Sequence, residues 1–132
     1  MTPFGTVVRN YRGKKEISIK TLSKAIGVTS TYLSALERGK RRKPSKKVIE
    51  GVIKYFKLTG SQASEVRQAA LFSDTRPKIP SYAGPEIFVA VHQLIKRAQE
   101  LTPSELAMLE IILSKNDIRS SKEEVHKYAI NY

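Results

Sequence analysis

Six of the eight residues from Lys40 to Lys47 are basic, in the run KRRKPSKK. Side chains at this density bind polyanions, because each ammonium or guanidinium group can pair with a phosphate oxygen. A few residues earlier the chain carries short hydroxyl and methyl side chains, at Ser30, Thr31, Ser34 and Ala35. Such groups can form hydrogen bonds and apolar contacts with the edges of nucleic-acid bases. The chemistry that these two groups of residues suggest is the binding of a nucleic acid.

Both groups need helices to position them, and the stretch 18–41 has the pattern of two helices. The first helix is predicted to begin after Ser18, a good N-cap, and to end at Gly27, where a positive φ costs glycine nothing. One face of this helix is apolar, through Leu22, Ala25 and Ile26. Thr29 can cap a second helix that stops at Gly39. Helix, glycine turn and helix form the helix-turn-helix plan.

The second helix has two different sides when its residues are placed at about 100° intervals. Its apolar side carries Tyr32, Leu33 and Leu36, and the opposite side carries Ser30, Thr31, Ser34, Ala35 and Arg38. A major groove of DNA admits a face of this kind, and the N-terminal residues of the helix then reach the base edges. An ordinary amphipathic helix with a solvated outer face fits the same periodicity. The periodicity alone leaves both interpretations open.

The segment AIGVTSTYLSALERGKR, residues 25–41, resembles the DNA-binding segment of the lambda/Cro-like (XRE-type) helix-turn-helix family. The matching features are the turn 25–28, Leu33 and Leu36 in register, and the closing run 37–40. The resemblance covers about residues 2–72. It implies an all-α fold with a five-helix DNA-binding domain that usually works as a dimer. It also implies base-reading positions at Ser30, Thr31, Ser34 and Ala35.

The sequence departs from that family at two places. Relatives often carry Gln, Asn or Arg at the base-reading positions, whereas the shorter side chains here predict modest direct readout. Ile19 stands where many relatives have a polar phosphate contact, a role that Lys20 or the helix amides could take. Phosphate contacts are predicted for Arg9, Ser18, Lys20, Thr29, Arg38, Lys40, Arg41, Arg42 and Lys43. Arg12 is a further candidate, and both Arg9 and Arg12 are equally well explained as solvated charges.

The positive charge of the chain is confined to its first half. Residues 1–72 contain 16 Lys and Arg against 4 Glu, a net charge of +12, whereas residues 73–132 contain 8 basic and 8 acidic residues. This asymmetry is typical of a surface that binds a polyanion. A patch for anionic membranes is the alternative, but no basic amphipathic helix with bulky apolar anchors accompanies the charge.

Composition divides the chain into a DNA-binding domain at 1–72, a linker at 73–85 and a C-terminal helical segment at 86–132. The linker has three prolines and a glycine. The core of the first domain is expected to include Leu71 and Phe72, just before the linker. Two apolar helices are predicted after the linker, and so few residues cannot bury them without a partner. We expect them to pair with a second copy rather than with the first domain. The dimerisation candidates are Ile87, Val91, Leu94, Ile95, Leu106, Leu109, Ile112 and Leu113. Residues 121–130 are predicted either to form a short helix or to stay mobile.

An enzyme is not expected from this sequence, and neither catalytic residues nor cofactor or metal ligands are predicted. The chain has no Cys, its two His residues are far apart, and no nucleotide-binding loop or nucleophile motif is present. No apolar run approaches the ~18–20 residues of a membrane span. These features predict a cytoplasmic protein, and the resemblance to the helix-turn-helix family implies a bacterial, phage or plasmid origin.

Three functions are compatible with these observations. The favoured one is a sequence-specific transcriptional regulator, with repression as the expected role, that binds a palindromic operator in double-stranded DNA as a homodimer. The second is an antitoxin that controls its own operon and neutralises a toxin through residues 86–132. The third is an architectural DNA binder without sequence preference, which the short side chains at the base-reading positions would suit.

Overall fold

The computed structural model describes residues 1–114 and divides the chain into two units, Met1–Lys78 and Ile79–Tyr132. Within the described residues all regular secondary structure is α-helical, so the predicted all-α fold is confirmed. The helices are α1 Pro3–Lys15, α2 Ile19–Ile26, α3 Ser30–Glu37, α4 Lys46–Tyr55, α5 Gly60–Phe72, α6 Pro85–Lys96 and α7 Pro103–Leu113. The helix predicted over residues 121–130 lies outside the described residues.

Local sequence signals set most of the helix ends in the first unit. The side chains of Thr2, Ser18, Thr29 and Ser45 each accept a hydrogen bond from a backbone N–H in the first turn of α1 to α4. These caps satisfy donors that the helices themselves leave unpaired. Gly27 ends α2 with a φ of 86°, as the sequence predicts. The boundaries of the helix-turn-helix are therefore encoded by the residues at the boundaries themselves.

The five helices of the first unit enclose one core through a closed circuit of contacts. Helix α1 packs on α3 and α5, α2 packs on α3 and α4, and α4 packs on α5. The side chains at the centre of this core are fully buried: Phe4, Val8, Leu22, Leu33, Val48, Val52 and Val66. Every helix contributes side chains to this core. The positions of α2 and α3 therefore depend on packing against the other helices as well as on the contact between α2 and α3.

The backbones of α1 and α3 approach each other closely at Gly5. A Cβ atom at this position would lie 2.4 Å from the carbonyl oxygen of Glu37 and 2.8 Å from its Cα, both in the backbone of α3. Real Cβ atoms do not come this close, and a backbone cannot move aside as a flexible side chain can. The absence of a side chain at Gly5 therefore lets α1 contact the end of α3.

We expect Gly5→Ala to lower the free energy of unfolding by more than about 2 kcal/mol, because α1 and α3 must separate. Gly13 in the same helix provides the control, since a Cβ there would meet nothing within 4 Å. Gly13→Ala should instead stabilise the chain by about 0.5–1 kcal/mol through helix propensity. Urea unfolding followed by circular dichroism measures both changes. Equal stabilities for the two variants would contradict this account of Gly5.

Helix α5 buries a different set of residues from the one that the sequence predicts at its end. Leu71 and Phe72 are 63% and 66% exposed, so their placement in the core is wrong. The buried positions of α5 are Ala63, Val66, Ala69 and Ala70, and the same helical face continues to Ser73, which is buried. Leu71 and Phe72 follow the buried Ala70 by about 100° and 200° around the helix and face away from the core.

The second unit contains α6 and α7, and no residue of either helix is buried. Thr102 and Glu105 form the capping box that the sequence predicts at the start of α7. An ion pair of 3.4 Å joins Arg97 to Glu105 across the turn between the helices. Beside it the two helices flank an apolar groove of about 340 Å³ that includes Leu94, Leu109 and Ile112. Among the described residues no helix is both long enough and apolar enough to cross a membrane.

Candidate nucleic-acid interface

Helix α3 has one face in the core and an opposite face that is not buried. Leu33 and Leu36 are buried, and Tyr32 packs partly against the core. On the other side Thr31 is exposed, while Ser30, Ser34 and Ala35 are partly exposed. The four positions predicted to read bases therefore share one accessible face of a single helix. Their hydroxyl and methyl groups are small, so that face allows another surface to approach the helix backbone closely.

The end of α3 is shaped so that the chain turns directly into the basic residues. Gly39 has a φ of 78°, and its N–H donates to the Leu36 carbonyl at 3.3 Å. The N–H of Lys40 donates to the Ala35 carbonyl at 2.9 Å. These two bonds form a Schellman motif, which satisfies the last carbonyls of the helix and requires a left-handed residue where glycine stands. The direction in which the chain leaves α3 is thus fixed by local hydrogen bonds.

The N-terminus of α1 fixes the same end of α3 from the other side. The backbone N–H of Thr2 donates to the Glu37 carbonyl at 2.9 Å, and its hydroxyl donates to that oxygen at 3.1 Å. Thr2 also caps α1 by accepting a bond from the N–H of Gly5 at 3.0 Å. One residue therefore begins α1 and holds the last turn of α3, so the orientation of α3 depends on the N-terminal residues of the chain.

A buried ion pair between Arg12 and Glu37 adds a second link between α1 and α3. Arg12 Nη2 lies 3.5 Å from Glu37 Oε2, and the two side chains are only 16% and 6% exposed. Burial raises the pKa of the Glu37 carboxyl, and the Arg12 guanidinium partly offsets this by favouring its charged form. The interpretation of Arg12 as a phosphate contact is wrong, because its guanidinium is used inside the domain.

The four residues Lys40, Arg41, Arg42 and Lys43, here called the basic loop, lie next to α3 and are all exposed. The guanidinium carbon of Arg41 lies 5.4 Å from the centre of the Tyr32 ring, within range of a cation–π contact. Pro44 is buried and Ser45 caps α4, so the far end of the loop is anchored as well. The basic loop thus leaves the end of α3 through the backbone bond from Lys40 to Ala35 and contacts the helix at Tyr32, with all four of its cations exposed.

The remaining predicted phosphate contacts occupy different kinds of position. Arg9, Lys20 and Arg38 are exposed, on α1, on the first turn of α2 and at the C-cap of α3. Ser18 and Thr29 use their hydroxyl oxygens to cap α2 and α3, at 3.1 Å from the N–H of Thr21 and of Tyr32. Both residues mark helix N-termini, where backbone amides and the helix dipole favour an anion.

Three contacts that organise this surface are not apparent from the sequence. Lys47 donates to the carbonyl of Gly27 at 3.2 Å and so braces the turn between α2 and α3. Arg41 contacts Tyr32, and Arg42 pairs with Asp74 at a distance of 3.3 Å. No signal in the sequence identifies these pairs, because each links two segments whose separation is set by the packing of the helices. Their effect is to order a surface whose charges alone are visible in the sequence.

Between residues 79 and 114 the titratable residues form no comparable cluster. His92 is exposed, and its Nδ1 lies 2.8 Å from the carbonyl oxygen of Phe88 on the preceding turn of α6. Within residues 1–114 no three His, Asp or Glu side chains come together in a way that could hold a metal ion. The surface of the first unit is therefore the strongest candidate for a functional site in the described part of the chain.

A family model described as helix-turn-helix matches residues 8–61, which extend from the middle of α1 to the start of α5. The matched segment contains α2, α3 and the basic loop complete. Neither the curated proteins nor the solved structures gave a match to this chain.

Proposed function

We propose that this chain is a repressor that reads its operator as a homodimer. Its residues 8–61 belong to the lambda/Cro-like (XRE-type) helix-turn-helix family of DNA-binding transcription regulators. In this proposal α3 enters the major groove of double-stranded DNA. Ser30, Thr31, Ser34 and Ala35 contact base edges. The basic loop, with Arg9, Lys20, Arg38 and the N-termini at Ser18 and Thr29, contacts the phosphate backbone.

The observation that carries the proposal is the juxtaposition on α3 of a face with small side chains and an exposed basic loop. The small side chains allow a base edge to come near the helix, and the cations lie where the phosphates on the rim of a groove would pass. Hydroxyl groups can donate to or accept from several bases, and the methyl of Ala35 can meet a thymine methyl. Sequence preference would then come from these contacts together with the shape of the DNA.

The second unit supports the dimer. The dimerisation candidates lie on α6 and α7. Leu94, Leu109 and Ile112 line the groove between the helices, and the other five candidates are not among its lining residues. No residue of the two helices is buried, and Ile95, Ile112 and Leu113 are more than half exposed. Residues 73–132 have no net charge, so their net charge would not oppose pairing with a second copy. Two paired copies would place two α3 helices on half-sites about one helical turn, ~34–36 Å, apart.

The experiment that tests the proposal is a selection of binding sites from random duplex DNA by the full-length chain. We expect the intact chain to enrich a motif with two-fold symmetry. A variant with Leu94→Asp and Ile112→Asp places two charges in the apolar groove and should remain monomeric, so it should lose the symmetric motif. A variant with Ser81→Asp and Tyr82→Asp carries the same charge change at exposed residues of the same unit and should retain it. Analytical ultracentrifugation of the three proteins reports the dimer independently.

Other outcomes would favour the other two functions. If the groove variant still enriches the symmetric motif, dimerisation belongs to the first unit, and the apolar helices are free for a different protein, as in an antitoxin. If no motif is enriched despite tight binding at low salt, the protein binds DNA without sequence preference. Weak binding at low salt would count against DNA binding itself.

A further inference from the structure

The three residues after α5, Ser73, Asp74 and Thr75, are bound to the rest of the first unit and are here called the clasp. The Ser73 hydroxyl accepts a bond from the N–H of Phe4 at 2.8 Å and donates to the carbonyl of Ala69 at 2.6 Å. Ser73 is 5% exposed. Composition places these residues in the linker, but the first of them is tied both to the start of α1 and to the last turn of α5.

Beyond this anchor, the clasp binds the basic loop through the backbone. The N–H of Thr75 donates to the carbonyl of Arg42 at 3.1 Å, and its hydroxyl lies 3.4 Å from the carbonyl of Arg41. These bonds fix the two carbonyls at the middle of the loop. The bonds do not involve the side chains of the loop, whose directions follow from the backbone conformation that the clasp holds.

Asp74 binds the loop through a side chain. Its Oδ1 accepts from Arg42 Nε at 3.3 Å and from the backbone N–H of Arg76 at 3.0 Å. The N–H of Arg76, and then Arg42, hold the pKa of the Asp74 carboxyl below its ordinary value, so the group is charged at neutral pH. Asp74 is 14% exposed, while Arg42 is 62% exposed. A fixed carboxylate therefore holds an arginine whose outer part lies in solvent.

We propose that Asp74 and Thr75 are positioning residues, which hold the basic loop in the conformation that contacts the phosphate backbone. This inference rests on the proposed function, because it assumes that the loop contacts DNA. The contact at Nε leaves the Nη–H donors of Arg42 for a phosphate, and arginine binds phosphate well through such a fork. Holding the guanidinium in place before DNA arrives lowers the conformational entropy that is lost on binding.

A carboxylate beside an arginine could instead compete with phosphate for the guanidinium. The hydrogen bonds of the clasp favour positioning. A competitor would need only the charge of Asp74, whereas the clasp also binds the backbone of both arginines through Thr75 and is itself anchored by Ser73. The two roles predict opposite changes in affinity when the carboxylate is removed, so they can be separated by experiment.

The test uses the full-length chain and a fluorescent duplex of mixed sequence about two helical turns long, with fluorescence anisotropy at several salt concentrations. Arg42→Gln and Asp74→Ala should each weaken binding about three- to tenfold and each reduce the slope of log affinity against log salt by about one. The double variant should bind no more weakly than Arg42→Gln alone. Glu50→Ala, which removes a carboxylate from the exposed pair with Arg67, is the control and should not weaken binding.

The salt slope separates a positioning role from a loss of stability, since partial unfolding lowers the active fraction without changing the slope. Thr75→Val keeps the charge of the clasp and should also weaken binding, by a smaller factor than Asp74→Ala. If Asp74→Ala binds as tightly as the unaltered chain or more tightly while Arg42→Gln binds weakly, positioning is overturned and the loop contact stands. If Arg42→Gln changes neither affinity nor slope, the positioning role of the clasp and the contact between Arg42 and phosphate are both overturned. A shallow slope for the unaltered chain would instead count against the proposed function.

Discussion

Replacing all four residues of the basic loop by glutamine is expected to lower the affinity for duplex DNA by more than about a hundredfold near physiological salt. Each cation that neutralises a phosphate releases a condensed counterion, and each such contact contributes about 0.9 to the slope of log affinity against log salt. The slope should therefore fall by between about three and four. Fluorescence anisotropy titrations at several salt concentrations give both quantities.

The control for this experiment removes the same four charges from another part of the first unit. Lys14 and Lys15 lie at the end of α1, Lys54 lies in the last turn of α4 and Lys57 follows it, and all four are exposed. Their replacement by glutamine should weaken binding less than about tenfold, through long-range electrostatics that salt screens. Equal losses in the two variants would mean that binding depends on net charge, and the basic loop would then have no particular role.

Replacing Arg12 by methionine is expected to lower the free energy of unfolding by about 3 kcal/mol at neutral pH. Methionine retains much of the apolar length of arginine, so the loss comes mainly from the carboxylate of Glu37, which stays buried without its cation. Replacing both Arg12 and Glu37 by methionine should restore most of the stability, because neither buried charge remains. Urea unfolding followed by circular dichroism measures these changes. Arg67→Met breaks the exposed pair with Glu50 and should cost less than about 1 kcal/mol.

The loss in Arg12→Met should depend on pH in a direction fixed by Glu37. Burial already raises the pKa of this carboxyl above its ordinary value of 4.5, and removing Arg12 takes away the main group that opposes the increase. A group with a raised pKa in the folded state favours folding below its unfolded pKa, and this contribution is lost as the pH rises through the folded value. The destabilisation should therefore be largest at neutral pH and shrink as the pH falls toward about 4.5. A loss of stability that does not vary with pH would show that the buried carboxylate of Glu37 is not its cause.

The sequence by itself determined the helices of the first unit, because their signals are local. Thr2, Ser18, Thr29 and Ser45 each cap the helix that begins at the next residue. Gly27 and Gly39 end helices at positive φ. Helical spacing identified Leu22, Leu33 and Leu36 as core residues. The confinement of net charge to residues 1–72 needed no structure at all. Together the local features predicted the helix-turn-helix, and the resemblance of residues 25–41 to its family implied the all-α fold.

Tertiary structure alone decided which charged and polar side chains serve the fold and which remain for a ligand. Arg9 and Arg12 are indistinguishable by composition and spacing, yet only Arg12 is inserted between α1 and α3 to pair with Glu37. Leu71 and Ser73 exchanged their expected places because helical phase, and not hydrophobicity, decides what α5 buries. Asp74 meets Arg42 across 32 positions of the chain. Contacts of this kind depend on how five helices pack against one another, and no local pattern of residues encodes that packing.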